Sequence, residues 1–264
     1  MRVFVEGVGI VGPGLQGWAA SRAILAGEEA YRSDATMVTA SELLPAAERR
    51  RAPVAVRLAL AAGEEAFRNA GRDAGSTATV FASSSADGDT VHHICETLAS
   101  AARDVSPTRF HNSVHNAAAG YWSIATRCMK PSTSLGCYDA SFAAGLLEAA
   151  VQVSTGGVPV GLITYDQPYP EPLHSARPIA TSFGAALVLA PVTGERAIAA
   201  LEIEFVPSPG RATRMQDAGL EAARLGNSAA RALPLLAVLA AKGGGSVAID
   251  YLSGAHLRIA AGTC

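Results

Sequence analysis

Short β-branched runs alternate along this chain with alanine-rich stretches, and that alternation restricts the fold more than any other feature. Strands are read at 3–6, 78–82, 132–135, 158–164, 185–189 and 198–205, and helices at 15–26, 54–70, 90–101, 117–126 and 139–153. Strand and helix taking turns in this way predict an α/β layered fold with a buried, parallel or mixed sheet. Residues 206–227 turn polar, carry two prolines and read as a connector with a short helix. A helix over 228–241, a Gly243-Gly244-Gly245 break and a hairpin of 246–251 with 256–260 close the chain.

With 264 residues, 49% of them hydrophobic, and a mean hydropathy of +0.23, the chain buries a core fit for one large domain or two small ones. Its net charge of −2 supplies no field to draw nucleic acid or an anionic membrane. Arg49-Arg50-Arg51 reads as a solvated surface or as a contact for an acidic carrier protein. Four cysteines, Cys95, Cys128, Cys137 and Cys264, show neither metal-ligand nor disulfide spacing, so no metal is expected and the thiols are read as reduced, with Cys95 and Cys128 in helix cores. The opening lacks a signal peptide's pattern, and no apolar run approaches the roughly 18 residues of a membrane span. A cytoplasmic protein is the default.

Several motifs have competing readings. Gly7, Gly9 and Gly12 spell GxGxxG after a predicted strand, with Glu28 about twenty residues on. Pro13-Gly14 interrupts where a dinucleotide-binding helix has to begin, so no cofactor is expected. His111 and His115, four apart and flanking Asn112 and Asn116, face one another if they share a helical turn. They read as loop or interface histidines, since no third ligand accompanies them. Tyr165 to Pro172 is either a stiff connector or a partner contact.

The stretch from Ser106 to Ala150 resembles the nucleophile region of β-ketoacyl synthases. That family carries a Pro-Asn segment with small residues, then Gly-Pro-Ser, a short buried strand, and a cysteine opening an Ala-rich helix. The matching pieces here are Asn116 to Ile124, Pro131-Ser132, Thr133 to Gly136, and the helix from Ala140 onward. At the family spacing the nucleophile position falls on Asp139, and Cys137 lies two residues earlier. Further echoes are the opening strand, turn and helix through Gly27, the stretch 52–71, and Ser83-Ser84-Ser85. The resemblance covers residues 1 to about 205. It implies a thiolase-like layered fold, mainly the first repeat with a shortened C-terminal part. A ketoacyl-synthase-like N-terminal domain is expected over 1–205, with 206–264 as connector, helix and terminal hairpin packed on the same domain.

The family's two catalytic histidines come from its second half, and past the first repeat this chain offers only His256. No Cys-His-His set can be assembled, so no condensing residue is expected. An Asp at a helix start is either a plain cap or a permanent anion held where the family holds a thiolate. Cys137 is either a small buried hydrophobe or a displaced nucleophile. The resemblance implies a non-condensing, chain-length-factor-like subunit of fatty acid or polyketide-type synthesis, akin to those of aryl polyene pathways, which pairs with a complete ketosynthase and meets an acyl carrier protein. Candidate interface or acyl-tunnel residues are His111, Asn112, His115, Asn116, Tyr121, Trp122 and Phe142. The alternatives are an acyltransferase or hydrolase using Cys137, or Asp139 with a histidine, and a homodimeric acyl-carrier-binding scaffold.

Overall fold

A computed structural model describes all of residues 1–264. The chain begins with β1 (Arg2–Gly12), β2 (Leu15–Gln16), α1 (Trp18–Leu25), α2 (Ala46–Arg51) and α3 (Val54–Ala70). Next come β3 (Ala78–Ala82), α4 (Gly88–Ala99), α5 (Pro107–Asn112), α6 (Ala117–Thr126) and β4 (Ser132–Leu135). A 3-10 turn, Tyr138–Ala140, leads into α7 (Ser141–Gly156), then β5 (Val160–Asp166), α8 (Leu173–Ala176), β6 (Phe183–Ala190) and β7 (Ala199–Val206). The rest is α9 (Ala218–Gly226), a 3-10 turn Ala229–Ala232, α10 (Leu233–Ala241), β8 (Gly245–Asp250) and β9 (His256–Gly262).

The strands form one mixed sheet in the order β4-β3-β5-β6-β1-β7-β9-β8, with β2 paired to β1. β3 lies parallel to both β4 and β5, and the other pairs are antiparallel. The terminal hairpin is part of this sheet, because β9 pairs with β7 from Ala200↔Gly262 to Val206↔His256. The helix expected over 228–241 divides into the 3-10 turn and α10, whose Pro234 stands in the first turn, where no amide donor is needed. No helix is long and apolar enough to cross a membrane.

Strand alternation sends side chains to two separate cores. On one face Val3, Val5, Val8 and Ile10 of β1 pack with Leu146 and Val153 of α7, Leu235 and Leu236 of α10, and Val247 and Ile259 of the hairpin. On the other, Phe81, Ile163 and Tyr165 meet α3 and α6 through Leu58, Ala62, Phe67, Tyr121 and Trp122. The second contact is unusually close. A Cβ at Gly7 lands 2.1 Å from the Ala66 carbonyl oxygen, and one at Gly9 lands 2.0 Å from that of Ala62.

This explains the GxGxxG spelling without a nucleotide. Gly7, Gly9 and Gly12 all lie inside β1, where the first two let α3 rest on the strand. The amide of Trp18 at the start of α1 is already taken by Glu65 Oε1 at 2.6 Å, and Glu65 Oε2 accepts from Ile10 N at 2.9 Å. A carboxylate of the protein thus fills the place a pyrophosphate needs.

Candidate functional site at the ends of the parallel strands

β3, β4 and β5 run parallel, so their C-terminal ends open on the same side of the sheet, where open α/β sheets present ligand sites. Ser83 and Ser84 follow β3, the stretch Gly136 to Ala140 follows β4, and Asp166 closes β5. Two residues here hold left-handed backbone without being glycine: Ala86 at φ 56° and Tyr138 at φ 51°. Such conformations cost about 1–3 kcal/mol each and persist where surrounding structure enforces them.

At the end of β4 the turn swings Tyr138 and Asp139 outward, and both are exposed. Asp139 caps no amide of α7, which begins two residues later with Ala140 at its cap position. The plain-cap reading is therefore corrected. Ser141 organises the junction: Cys137 N donates to its Oγ at 3.0 Å, and that hydroxyl donates to the Tyr138 carbonyl at 2.7 Å. Asp139 Oδ1 instead accepts from Arg177 Nη1 at 3.1 Å. The guanidinium lies 3.4 Å above the Tyr138 ring centroid. Tyr138, Asp139 and Arg177, with Ile179, Asn227 and Ser228, line a cleft of about 220 Å³.

Cys137 is half-buried, and its sulfur hydrogen-bonds to no histidine. His115 stands nearby at Gly136, but its Nε2 lies 3.0 Å from the Ser83 carbonyl. His111 and His115 do not share a helical turn. His111 is on α5, exposed and edge-on to Tyr121 at 6.1 Å, whereas His115 lies beyond the helix end. Asn112 is buried, donating to Arg51 O at 3.1 Å and accepting from Tyr121 OH at 3.0 Å, while Asn116 is the exposed residue that opens α6. Tyr121 and Trp122 lie in the core against α3, and Phe142 in the core on the opposite face of the sheet. The sheet separates Tyr121 and Trp122 from Phe142. Cys95 is exposed on α4, and Cys128 is buried just past α6, so neither sits in a helix core.

Residue-by-residue reading missed the polar centre behind the cleft. Asp166 is wholly buried. Its Oδ1 accepts from Ser83 Oγ at 2.9 Å, Ser84 N at 3.0 Å and Ser84 Oγ at 2.9 Å, and its Oδ2 from Ser228 Oγ. Burial pushes the carboxyl up from the ordinary range, against the pull of these donors. Alongside, Asp87 accepts from Gln167 Nε2 at 3.0 Å and from Thr90 Oγ1 at 2.5 Å. Asn227 Nδ2 donates to the carbonyls of Asp166 at 3.1 Å and Thr181 at 2.7 Å, and its Oδ1 accepts from Ala229 N. The readable signals were a lone acid ending the apolar run VGLITYD and a serine run closing the preceding parallel strand. Tyr165, Asp166 and Gln167 are thus interior, and only the later part of the Tyr165 to Pro172 stretch serves as connector.

A mixed sheet with helices on both faces, and a strained turn delivering one residue at the start of a small-residue helix, is the architecture of ketosynthase-type, thiolase-like folds, and the chain superposes on them. The sequence profile of the β-ketoacyl synthase N-terminal domain matches residues 17–243, and the chain belongs to that family. No protein of curated function matches by sequence. Among solved structures, a chain from a ketosynthase (ApeO) in complex with its chain length factor (ApeC) from Xenorhabdus doucetiae superposes with a TM-score of 0.73 at 21% identity, over 98% of this chain and 99% of that one. A chain of the ishigamide ketosynthase/chain length factor gives 0.71 at 15%, over 100% and 99%. A chain from a type II polyketide synthase acyl-carrier protein in complex with its ketosynthase bound to the hexaketide gives 0.71 at 11%, over 100% and 99%.

Proposed function

We propose that this chain is a non-condensing ketosynthase-like subunit that pairs with a complete ketosynthase, as a chain length factor does, in cytoplasmic fatty acid or polyketide-type synthesis of the aryl polyene kind. One observation carries the reading: Asp139, the residue at the family's nucleophile spacing, is engaged by Arg177 and has no imidazole bonded to it. Acyl transfer from a thioester to a carboxylate gives a mixed anhydride, uphill of the thioester, whereas condensation needs a thiolate and donors for the developing oxyanion. The end-to-end likeness to chains of complexes that pair a ketosynthase with a chain length factor supports the pairing. An acyl-carrier protein as a third participant is supported by the complex that contains one.

The surface offers a place for such a partner. β4 is an edge strand with neither charge nor bulge, whereas the opposite edge is covered: Thr213 N donates to Ala248 O and Thr213 Oγ1 accepts from Ala248 N. On α4, the residues Val91, Ile94, Cys95 and Leu98 recur at i, i+3, i+4 and i+7, the spacing of a core-facing stripe, yet Leu98 remains 51% exposed. Phe110, on α5, which packs against α4, and Val114, just beyond that helix, are also exposed.

Intact mass measured after incubation with acyl and malonyl thioesters tests the reading. It is expected to show no acyl adduct, and co-expression with a complete ketosynthase is expected to give a stable one-to-one complex. An adduct on Cys137 instead identifies an acyltransferase or hydrolase. A lone homodimer that ignores every ketosynthase identifies a scaffold.

A further inference from the structure

Asp166 and its donors join three segments that are distant in sequence. Ser83 and Ser84 begin the loop from β3 to α4, Asp166 ends β5, and Ser228 lies between α9 and the 3-10 turn Ala229–Ala232. Asn227 and Ser228 are also wall residues of the Asp139 cleft, and Ala229–Ala232 packs against the Tyr138–Ala140 turn. Beyond the Asn227 amide bonds, the Ser228 hydroxyl is the side-chain tie from this wall to the sheet.

We propose that Asp166 is a positioning residue which, through Ser228, latches the far wall of the cleft against the turn carrying Cys137, Tyr138 and Asp139. The latch governs local closure at the strand ends and is separate from the global stability of the fold. Several observations support this division of labour. All of the latch's members lie at the C-terminal ends of β3, β4 and β5, while one apolar core runs across the sheet from β3 to β8 and the other covers β3, β5, β6 and β1. The carboxylate collects its donors from two segments besides its own, so losing the Ser228 hydroxyl loosens the wall segment, which the Asn227 amide still anchors, and leaves the loop after β3 tied. The reading does not depend on whether the chain has a partner.

The four cysteines are built-in reporters of this distinction. Cys95 and Cys264 are exposed, Cys137 is half-buried beside the latched turn, and Cys128 is buried on the other side of the molecule with its thiol on Thr77 O. Alkylation rates of each thiol by iodoacetamide, resolved by peptide mass mapping, are to be compared in the native protein and in Ser228→Ala, Ser228→Thr and Asp166→Asn. Leaving a buried carboxyl oxygen without its hydrogen-bond donor is expected to raise the Cys137 rate about tenfold in Ser228→Ala. Cys95, Cys264 and Cys128 should keep their native rates, Ser228→Thr should restore protection, and Asp166→Asn should give an intermediate rate. If Cys137 and Cys128 accelerate together, the centre is a fold-stability element and the proposal fails. It fails equally if Cys137 does not respond in Ser228→Ala, and that variant carries the test if Asp166→Asn does not fold.

Discussion

At Gly9 the absence of a side chain determines how closely a helix approaches a sheet. The missing Cβ makes room for the Ala62 carbonyl, a backbone atom that moves only if all of α3 moves. Gly9→Ala is therefore expected to cost more than about 3 kcal/mol, at the upper end for overpacking, or to prevent folding. Gly120 supplies the contrast, since it lies on the exposed side of α6 with nothing within 4 Å of its added Cβ. Gly120→Ala should stabilise by up to about 1 kcal/mol through helix propensity alone. Urea unfolding of the two variants separates these outcomes, and equal effects would contradict the packing explanation of the glycine motif. Asp139 illustrates a different limit. Spacing located it at the end of β4, but its partner Arg177 is 38 residues away, and no local pattern reveals such a pair.

Among the elements, strands and helices with strong periodicity were legible and their junctions were not. The expected bounds of α3, β3, α6 and β4 coincide with those observed, because Gly71 and Arg127 end the two helices in left-handed conformation and glycine or proline brackets the strand. α7 was placed two residues early, since the 3-10 turn before it obeys tertiary demands at Ser141 more than helix propensity. Exposure along α4 was equally hidden, because a stripe at i, i+3, i+4 and i+7 reads as buried unless the neighbours are known. β4 allows a direct test of what lies against this face. The carbonyls of Pro131 and Leu135 point to β3, so by alternation Thr133 also faces inward, and Ser132 and Ser134 present their amides outward. Ser134→Pro removes an outward donor while sparing the ladder to β3. In the pairing with a ketosynthase proposed above, this variant and Leu98→Glu should each weaken association at least tenfold, with little change in melting temperature. Undiminished binding by both would move the interface elsewhere.

For the molecule as a whole, the question is whether residues 206–264 are an appendage or part of the folding unit. Composition changes near 205, where a polar, proline-containing connector begins, and the sequence reading expects the segment beyond it to pack on the same domain. Hydrogen bonding and burial argue for a single unit. β9 forms a seven-pair ladder with β7, so removing it bares a complete strand edge. Leu233, Leu235, Leu236, Leu257 and Ile259 belong to the same apolar cluster as Val3, Val5 and Leu146. Deleting the tail exposes that cluster, and at roughly 2 kcal/mol for each large aliphatic side chain the loss approaches the whole stability of a typical domain. A chain ending at 205 is therefore expected to be unfolded or aggregated, by circular dichroism and gel filtration, whereas the full chain is folded. The same deletion removes Ser228 and Asn227, hence one wall of the Asp139 cleft. The sheet that supports the strand ends and the wall that closes them thus depend on the same terminal segment. If the 1–205 fragment folds cooperatively, that dependence is refuted and the connector is a true domain boundary.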